Sequence, residues 1–314
     1  MNLSAKTRIG LLCGSIAYGL LCTGAWAQTT DIAALQEKAD SGDAAAQYKL
    51  GVLLEGDDNT PPNYAQAVLW IRKSADQGYP AAENELGILY EHAEGVPFDE
   101  GLYLSWVQKA ADQNYPPAED ELGSIYLTEN SKLHDYAKAA VWFKKAADQG
   151  YAKAEDDLGN LYRFGRGVKQ NYGLAAELYK RAADKGHTQA AVDLGVLYIN
   201  GQGVSKSQTQ ALALFKKATD KGDSDASSAA NSIAHLYAAG VQIPRDYKEA
   251  YFWCGIAIAS GYPAPLIEPY RDRNITPHLD HEKIVEIQKR VDQWAEDHKL
   301  QTPHTDGSGA LPSS

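Results

Sequence analysis

The feature that most constrains this chain is a period of 36 residues: Leu50-Gly51, Leu86-Gly87, Leu122-Gly123, Leu158-Gly159 and Leu194-Gly195 superpose when the sequence is shifted against itself by that length. A fixed period of this size marks stacked structural repeats, in which no unit buries its apolar face alone and each neighbour supplies part of the core. A strict period outranks a length prior, so the 314 residues are read as one array and not as two globular domains.

Within the period, Ala46, Ala82, Ala118, Ala154 and Ala190 precede the Leu-Gly pair, and Tyr90, Tyr126, Tyr162 and Tyr198 follow it. Steps of three and four put these on one face of a first helix. A mid-helix glycine costs about 1 kcal/mol relative to alanine, so its recurrence predicts close approach of a partner helix. The second helix is expected to begin near Ala67, Tyr103, Ala139, Ala175 and Ala211 and to bury Trp70, Trp106, Trp142, Leu178 and Leu214 at one common position. Its expected ends are Gly78, Asn114, Gly150, Gly186 and Gly222, residues that tolerate the left-handed conformation closing a helix. A sixth unit, with Ala229, Tyr237, Ala250, Trp253 and Gly261, is offset by 39 residues because three extra residues enter around positions 225–230.

Residues 1–27 read as a secretory signal: Lys6 and Arg8, an apolar run over 9–21, then Ala25-Trp26-Ala27 before Gln28. The run is short and broken by Gly14, Ser15 and Gly19, which argues against a stable membrane anchor, and neither Cys13 nor Cys22 follows a small residue as lipoprotein processing requires. Residues 28–43 form a capping half repeat with Thr30 or Asp31 as helix N-cap, and 44–262 form the array. Residues 263–299 are an irregular link through Pro263, Pro265 and Pro269 followed by a capping helix with the stripe Ile284, Ile287, Val291 and Trp294. Residues 300–314 read as a disordered tail. Removing the signal moves the formal charge from -11 to -13, which argues against nucleic acid as a partner. Only Cys254 then remains, so no disulfide framework exists, and its apolar helical surroundings make it a buried small hydrophobe.

The recurring pattern of small residue, Leu-Gly, Tyr, Gly-x-Gly-Val, Ala, aromatic, Ala-Ala and Gly resembles the Sel-1-like repeat, a relative of the tetratricopeptide repeat. The loop motif is intact in Gly165-Arg166-Gly167-Val168 and Gly201-Gln202-Gly203-Val204, whereas Ser131 replaces its second glycine in the third unit and Pro61-Pro62 rebuild the first loop. The resemblance implies an all-α fold, a right-handed alpha-alpha superhelix (solenoid) of about six repeats whose concave groove binds a protein. Bacterial members are similar in serving as adaptors, envelope regulators or stoichiometric, immunity-like inhibitors of a partner enzyme, and that role is expected here, in the periplasm, for a chain that is monomeric alone and uses no cofactor. Some secreted relatives carry a disulfide in each repeat and are linked to β-lactam binding. This chain lacks those cysteines, so a cell-wall or β-lactam-acting enzyme is the alternative and not the preferred reading.

No nucleophile motif stands out, and the paired glycines of the loops lack the preceding strand and third glycine of a dinucleotide fingerprint. His278 and His281 have no further ligands to complete a metal shell, and Asp280 between them reads as a helix cap. Glu83, Glu119 and Glu155 recur every 36 residues at first-helix starts, where the helix dipole favours anions, although a ladder aimed at a basic partner is the other reading. Carrying over the tetratricopeptide arrangement, in which the first helix lines the groove, gives Asn84, Ile88, Glu91 and His92 in the second unit and Asp120, Ser124, Leu127 and Thr128 in the third. The fourth contributes Asp156, Asn160, Arg163 and Phe164, and the fifth Val192, Val196, Ile199 and Asn200. The partner is expected on the third and fourth units, where charge and an aromatic anchor coincide.

Overall fold

The computed structural model describes residues 25–56, 60–128, 132–220 and 224–300, with the side chains of 25–31 and 224–225 left aside. The signal segment before residue 25, Ser131, Gly222 and the tail lie outside the described residues. All regular structure among the described residues is helical. Helix α1 (Ala25–Asp40) precedes six helix pairs: α2 (Ala44–Leu54) with α3 (Tyr64–Ala75), α4 (Pro80–His92) with α5 (Glu100–Asp112), α6 (Pro116–Leu127) with α7 (Tyr136–Asp148), α8 (Ala152–Phe164) with α9 (Tyr172–Asp184), α10 (Thr188–Asn200) with α11 (Gln208–Thr219), and α12 (Ser224–Ala239) with α13 (Tyr247–Ala259). Helices α14 (Ala264–Asn274) and α15 (His281–Asp297) follow. The chain divides into two compact units, one ending at His134 and one beginning at Asp135. In the first, α1 to α6 pack successively, each on the next; in the second, α7 to α13 do so, and α15 packs on α13.

The second helices start three residues before the expected positions, because Asn63, Asp99, Asn171 and Ser207 accept hydrogen bonds from the backbone N–H groups of Gln66, Leu102, Leu174 and Gln210, and Asp135 from Ala137 and Lys138. These side chains satisfy donors that the first turn leaves open. Gly78, Asn114, Gly150 and Gly186 close the same helices with φ of 77°, 59°, 85° and 89°, as their residue types predict.

The Leu-Gly pair makes the close approach it implies. A Cβ added at Gly87, Gly159 or Gly195 would stand 2.8, 2.7 or 2.5 Å from a side-chain carbon of Val107, Tyr179 or Phe215, and one at Gly51 would run into Ile71. The partner of each glycine is the residue twenty positions later, and Ile71, Val107, Phe143, Tyr179 and Phe215 are all fully buried. This corrects the expected core position by one residue. Trp70, Trp106, Trp142 and Leu214 are only half-buried, and of that set Leu178 alone is buried. Lys73, Lys109 and Lys145 instead lay their ammonium groups 3.9, 3.6 and 3.8 Å from the centres of the three indole rings, which therefore edge the core beneath a charged lid.

The sixth repeat exchanges the two sizes. In its 39-residue offset, Ala234 falls where the others have glycine and the fully buried Cys254 falls where they have Ile, Val, Phe or Tyr. Burial pushes the Cys254 thiol up to about 12, so it is the inert small hydrophobe its surroundings imply.

Two expectations at the ends change. Helix α1 runs through Thr30 and Asp31, so neither is its N-cap, since the Ala-Trp-Ala-Gln stretch ahead of them contains no helix breaker. The proline link is itself helical: Pro263 is the N-cap of α14, Pro265 occupies the first turn, where a missing N–H costs nothing, and Pro269 removes a single hydrogen bond. Asp280 caps α15 as expected, accepting from Lys283 N–H at 2.9 Å. The stripe of α15 meets α13, with Ile287 and Val291 buried and Val291 pressed against Gly255.

Candidate protein-binding face

The acidic residues at first-helix starts prove to be internal. Glu83, Glu119 and Glu155 are buried, each in the first turn of its helix, where Tyr79, Tyr115 and Tyr151 provide no side-chain cap. Glu83 accepts from Gln113 Nε2 at 2.5 Å, and Glu155 Oε1 lies 2.5 Å from Arg181 Nη2 and 2.7 Å from Lys185 Nζ. Gln77 donates to Gln47 at the matching place in the first repeat. The bonds to Gln77, Gln113 and Lys185 each join a residue to the one thirty positions on, so the start of a first helix is tied to the end of the second helix of its own repeat. The same cations reach back one repeat: Arg181 donates to the carbonyl of Ala147 and Lys185 to that of Gly150, near the C-terminus of α7, where the helix dipole favours positive charge. A ladder engaged in this way does not point at a partner. Its signal was present in the sequence as two 36-residue series, Gln47/Glu83/Glu155 and Gln77/Gln113/Lys185, in constant register with one another.

The positions carried over for the groove separate into two depths. Asn84, Asp120 and Asp156, at 7, 2 and 4% exposure, lie within the core and not on an open face, and Val192 is buried with them. Ile88, Glu91, Ser124, Leu127, Asn160, Arg163, Val196 and Ile199 are half-buried, and His92, Thr128, Phe164 and Asn200 are exposed. The inward member of each stripe is therefore structural and the last turn of each first helix supplies the accessible surface. Each unit carries its own part: the residues of α4 and α6 in the first, those of α8 and α10 in the second.

On the second unit the stripe is preorganised. Arg163 Nη1 is 2.5 Å from Asp193 Oδ1, while Asp193 Oδ2 accepts from Gln189 Nε2 at 2.7 Å, and this fixes the guanidinium between α8 and α10. Asn160 Oδ1 accepts from the Tyr179 phenol at 3.0 Å, and burial raises the ionisation of that phenol well above its usual range. Phe164 is 55% exposed, with the guanidinium carbons of Arg163 and Arg166 at 5.0 and 5.5 Å from its ring centre. Arg163 and Asn160 thus hold the inter-helix framework as well as lining the face. Away from this stripe, Glu249 accepts from Arg290 of α15 at 2.8 Å.

Gly165 and Gly201 close α8 and α10 with φ of 68° and 69°, and a Cβ at Gly167 or Gly203 would strike the backbone of Tyr136 or Tyr172. These loops join two helices and are crowded by protein backbone, so their glycines serve packing and cradle no phosphate. Gly95 plays the same part against Tyr64, a loop glycine that the degenerate second motif conceals. His278 stacks on Tyr247 at 4.0 Å, and no group of three or more metal-binding side chains occurs among the described residues.

Six consecutive matches to the Sel1 repeat cover residues 44–79, 80–115, 116–151, 152–187, 188–223 and 227–262. The chain belongs to the Sel1 repeat family. Among solved structures it is similar to c5321, a protective antigen of uropathogenic Escherichia coli strains that displays this fold, with 30% identity and a TM-score of 0.69 over 85% of this chain and 57% of that one. The chain therefore spans little more than half of that antigen's length. It is also similar to a Sel1 repeat protein from Oxalobacter formigenes, with 28% identity and a TM-score of 0.63 over 72% of this chain and 98% of that one. No curated protein matches the chain. The first four Sel1 frames end at the tyrosine or histidine before the next first helix, and each of these glycine-and-bulky-residue pairs lies within one frame. Among the described residues no helix is long and apolar enough to cross a membrane.

Proposed function

We propose that this Sel1 repeat protein is a periplasmic binding scaffold, an adaptor or stoichiometric inhibitor that engages a protein partner through the last turns of its first helices. The observation that carries the reading is Phe164: a large aromatic ring more than half exposed, flanked by two arginines, one of which is immobilised by Asp193. Interfaces concentrate their energy in a few aromatic and arginine side chains, and a residue already ordered loses less entropy on binding. Ile199, Val196 and Asn200 of α10 extend the same surface. Export is supported by the Lys6 and Arg8 charges, the apolar run and Ala25-Trp26-Ala27, with the mature chain starting near Gln28.

The test is affinity capture from an envelope extract with wild type and Phe164→Ala, followed by titration of the recovered partner. Phe164→Ala should weaken binding by about 1 to 3 kcal/mol and leave the melting temperature unchanged, because the ring is outside the core. Glu177→Ala, on the exposed side of α9, is the control. Equal affinity in wild type and Phe164→Ala would remove the binding face from α8, and recovery of the protein in a membrane fraction with residues 1–27 retained would remove the soluble periplasmic assignment.

A further inference from the structure

The ion pair Arg163–Asp193 has counterparts in the first unit that are not ion pairs. One and two further steps of the period beyond the adjacent repeat bring Arg163 onto Glu91 and Glu55, and Asp193 onto Glu121 and Glu85. The partners are again thirty residues apart. Where α8 and α10 are joined by opposite charges at 2.5 Å, the α4–α6 seam therefore brings Glu91 towards Glu121 and the α2–α4 seam brings Glu55 towards Glu85.

The two seams are relieved differently. At α4–α6 a phenol intervenes: Tyr103 of α5, in a position occupied by alanine in the other repeats, hydrogen-bonds both Glu121 and Glu91, and its ionisation is pushed far above the usual range by burial and by those acids. At α2–α4 no side chain among the described residues is hydrogen-bonded to both carboxyls. Glu55 is the C-cap of α2, and its Oε1 is buried with no hydrogen-bond partner. The charges acting on it are Glu85 of α4 and Glu94 just beyond, both acids. Tyr48 on α2 feels Glu85, Tyr115, Glu55 and Tyr79, Tyr64 on α3 is hydrogen-bonded to Glu94, and His92 is the cation acting on Glu85. Two carboxylates in a half-buried site do not both ionise cheaply.

We propose that the α2–α4 seam is a pH-sensitive latch, closed while Glu55 is protonated beside Glu85 and loosened by repulsion when Glu55 ionises. Desolvation, then Glu85 and Glu94, push the Glu55 carboxyl up to about 8, and burial raises Glu85 as well. A carboxyl raised in the folded state loses its proton first in the unfolded chain. The latch is therefore fully closed below about 4.5, the unperturbed value, and its stability is lost as pH rises through that point towards about 8. The α8–α10 seam presents an ion pair at the same place, Arg163 with Asp193, instead of two acids.

The latch is tested by hydrogen exchange of the full chain at pH 5, 6.5 and 8, corrected for intrinsic rates, with peptides from α2 and α4 compared against those from α8 and α10. Protection in α2 and α4 should fall roughly tenfold or more from pH 5 to pH 8, since each unit of pKa shift is a factor of ten, and by more than in α8 and α10. Glu55→Gln keeps the shape and removes the charge, so its α2 and α4 protection at pH 8 should match the wild type at pH 5. Glu85→Gln, on the other side of the seam, should flatten the profile in the same way, and Glu55→Arg should do so by restoring the ion-pair arrangement. A flat wild-type profile, or an unaltered pH-dependent fall in both glutamine variants, overturns the latch.

Discussion

Replacing Gly195 by alanine sets two effects of known size against each other. Alanine gains about 1 kcal/mol of helix propensity over glycine in mid-helix. Its Cβ, however, would stand 2.5, 2.8 and 3.0 Å from Cε1, Cζ and Cδ1 of Phe215, where carbon atoms rest at about 3.5 to 4.0 Å. Phe215 is fully buried, so the ring cannot swing into solvent and the helices must separate. Overpacking of this kind costs about 1 to 3 kcal/mol, which leaves a net loss of about 1 kcal/mol for Gly195→Ala. Phe215→Cys alone opens a cavity and should lose about 3 kcal/mol. Together the two substitutions reproduce the Ala234 and Cys254 arrangement of the sixth repeat, with the methyl entering space the ring has left. The double variant should then be about 1 to 3 kcal/mol more stable than the sum of the singles. Urea unfolding followed by circular dichroism measures all four proteins. Simple additivity would refute the pairing of positions 195 and 215 and, with it, the packing role assigned to the Leu-Gly motif.

Glu155→Gln should lower stability by about 1 to 3 kcal/mol in thermal unfolding, less than a fully enclosed ion pair would give, because Arg181 and Lys185 remain 43 and 40% exposed. Glu83→Gln at the equivalent place should be neutral or stabilising at pH 8, since burial raises the Glu83 carboxyl and its stabilising contribution is lost as pH rises; a loss comparable to Glu155→Gln would contradict this. Cys254 should resist thiol reagents until the protein is unfolded, and native labelling of that residue at the rate of a free thiol would place it outside the core. Asp280→Ala should cost about 1 kcal/mol and speed hydrogen exchange in α15, with unchanged exchange arguing against the cap.

Much of this architecture was legible because the period samples each structural position five or six times. Chance alternatives at one repeat are cancelled by the others, which is how Gly51, Gly87, Gly159 and Gly195 announced a contact before their partners were known. The misassigned core residue shows where the pattern stops informing. Trp70, Trp106 and Trp142 are larger and more regular than Ile71, Val107 and Phe143, yet helical phase, not size, decides which enters the interior, and a lysine three residues on lets an indole remain at the edge. The binding face was legible only in part for a related reason. Sequence spacing groups Asn84 with Glu91 and Asp156 with Arg163 on one side of a helix, but depth along that side depends on how far the neighbouring helix covers it. The acidic ladder was visible as a series and opaque as to purpose, since its partners stand thirty residues away, a separation that no local motif examines.

The bonds from Glu83 to Gln113 and from Glu155 to Lys185 both begin and end inside a single Sel1 frame. A segment duplicated or deleted at a frame boundary would carry this closure with it, whereas bonds that cross frames, such as those from Arg181 to the Ala147 carbonyl and from Arg163 to Asp193, would have to be remade in register at the new junction. Array length is in that sense a free variable for a lineage, adjustable by unequal recombination in whole steps. The carboxyl end is not free in the same way, because α15 is fitted to Gly255 and Glu249 of the last frame. Growth by recombination is thereby directed to the frames ahead of the sixth, with that frame and its fitted helix inherited as one piece.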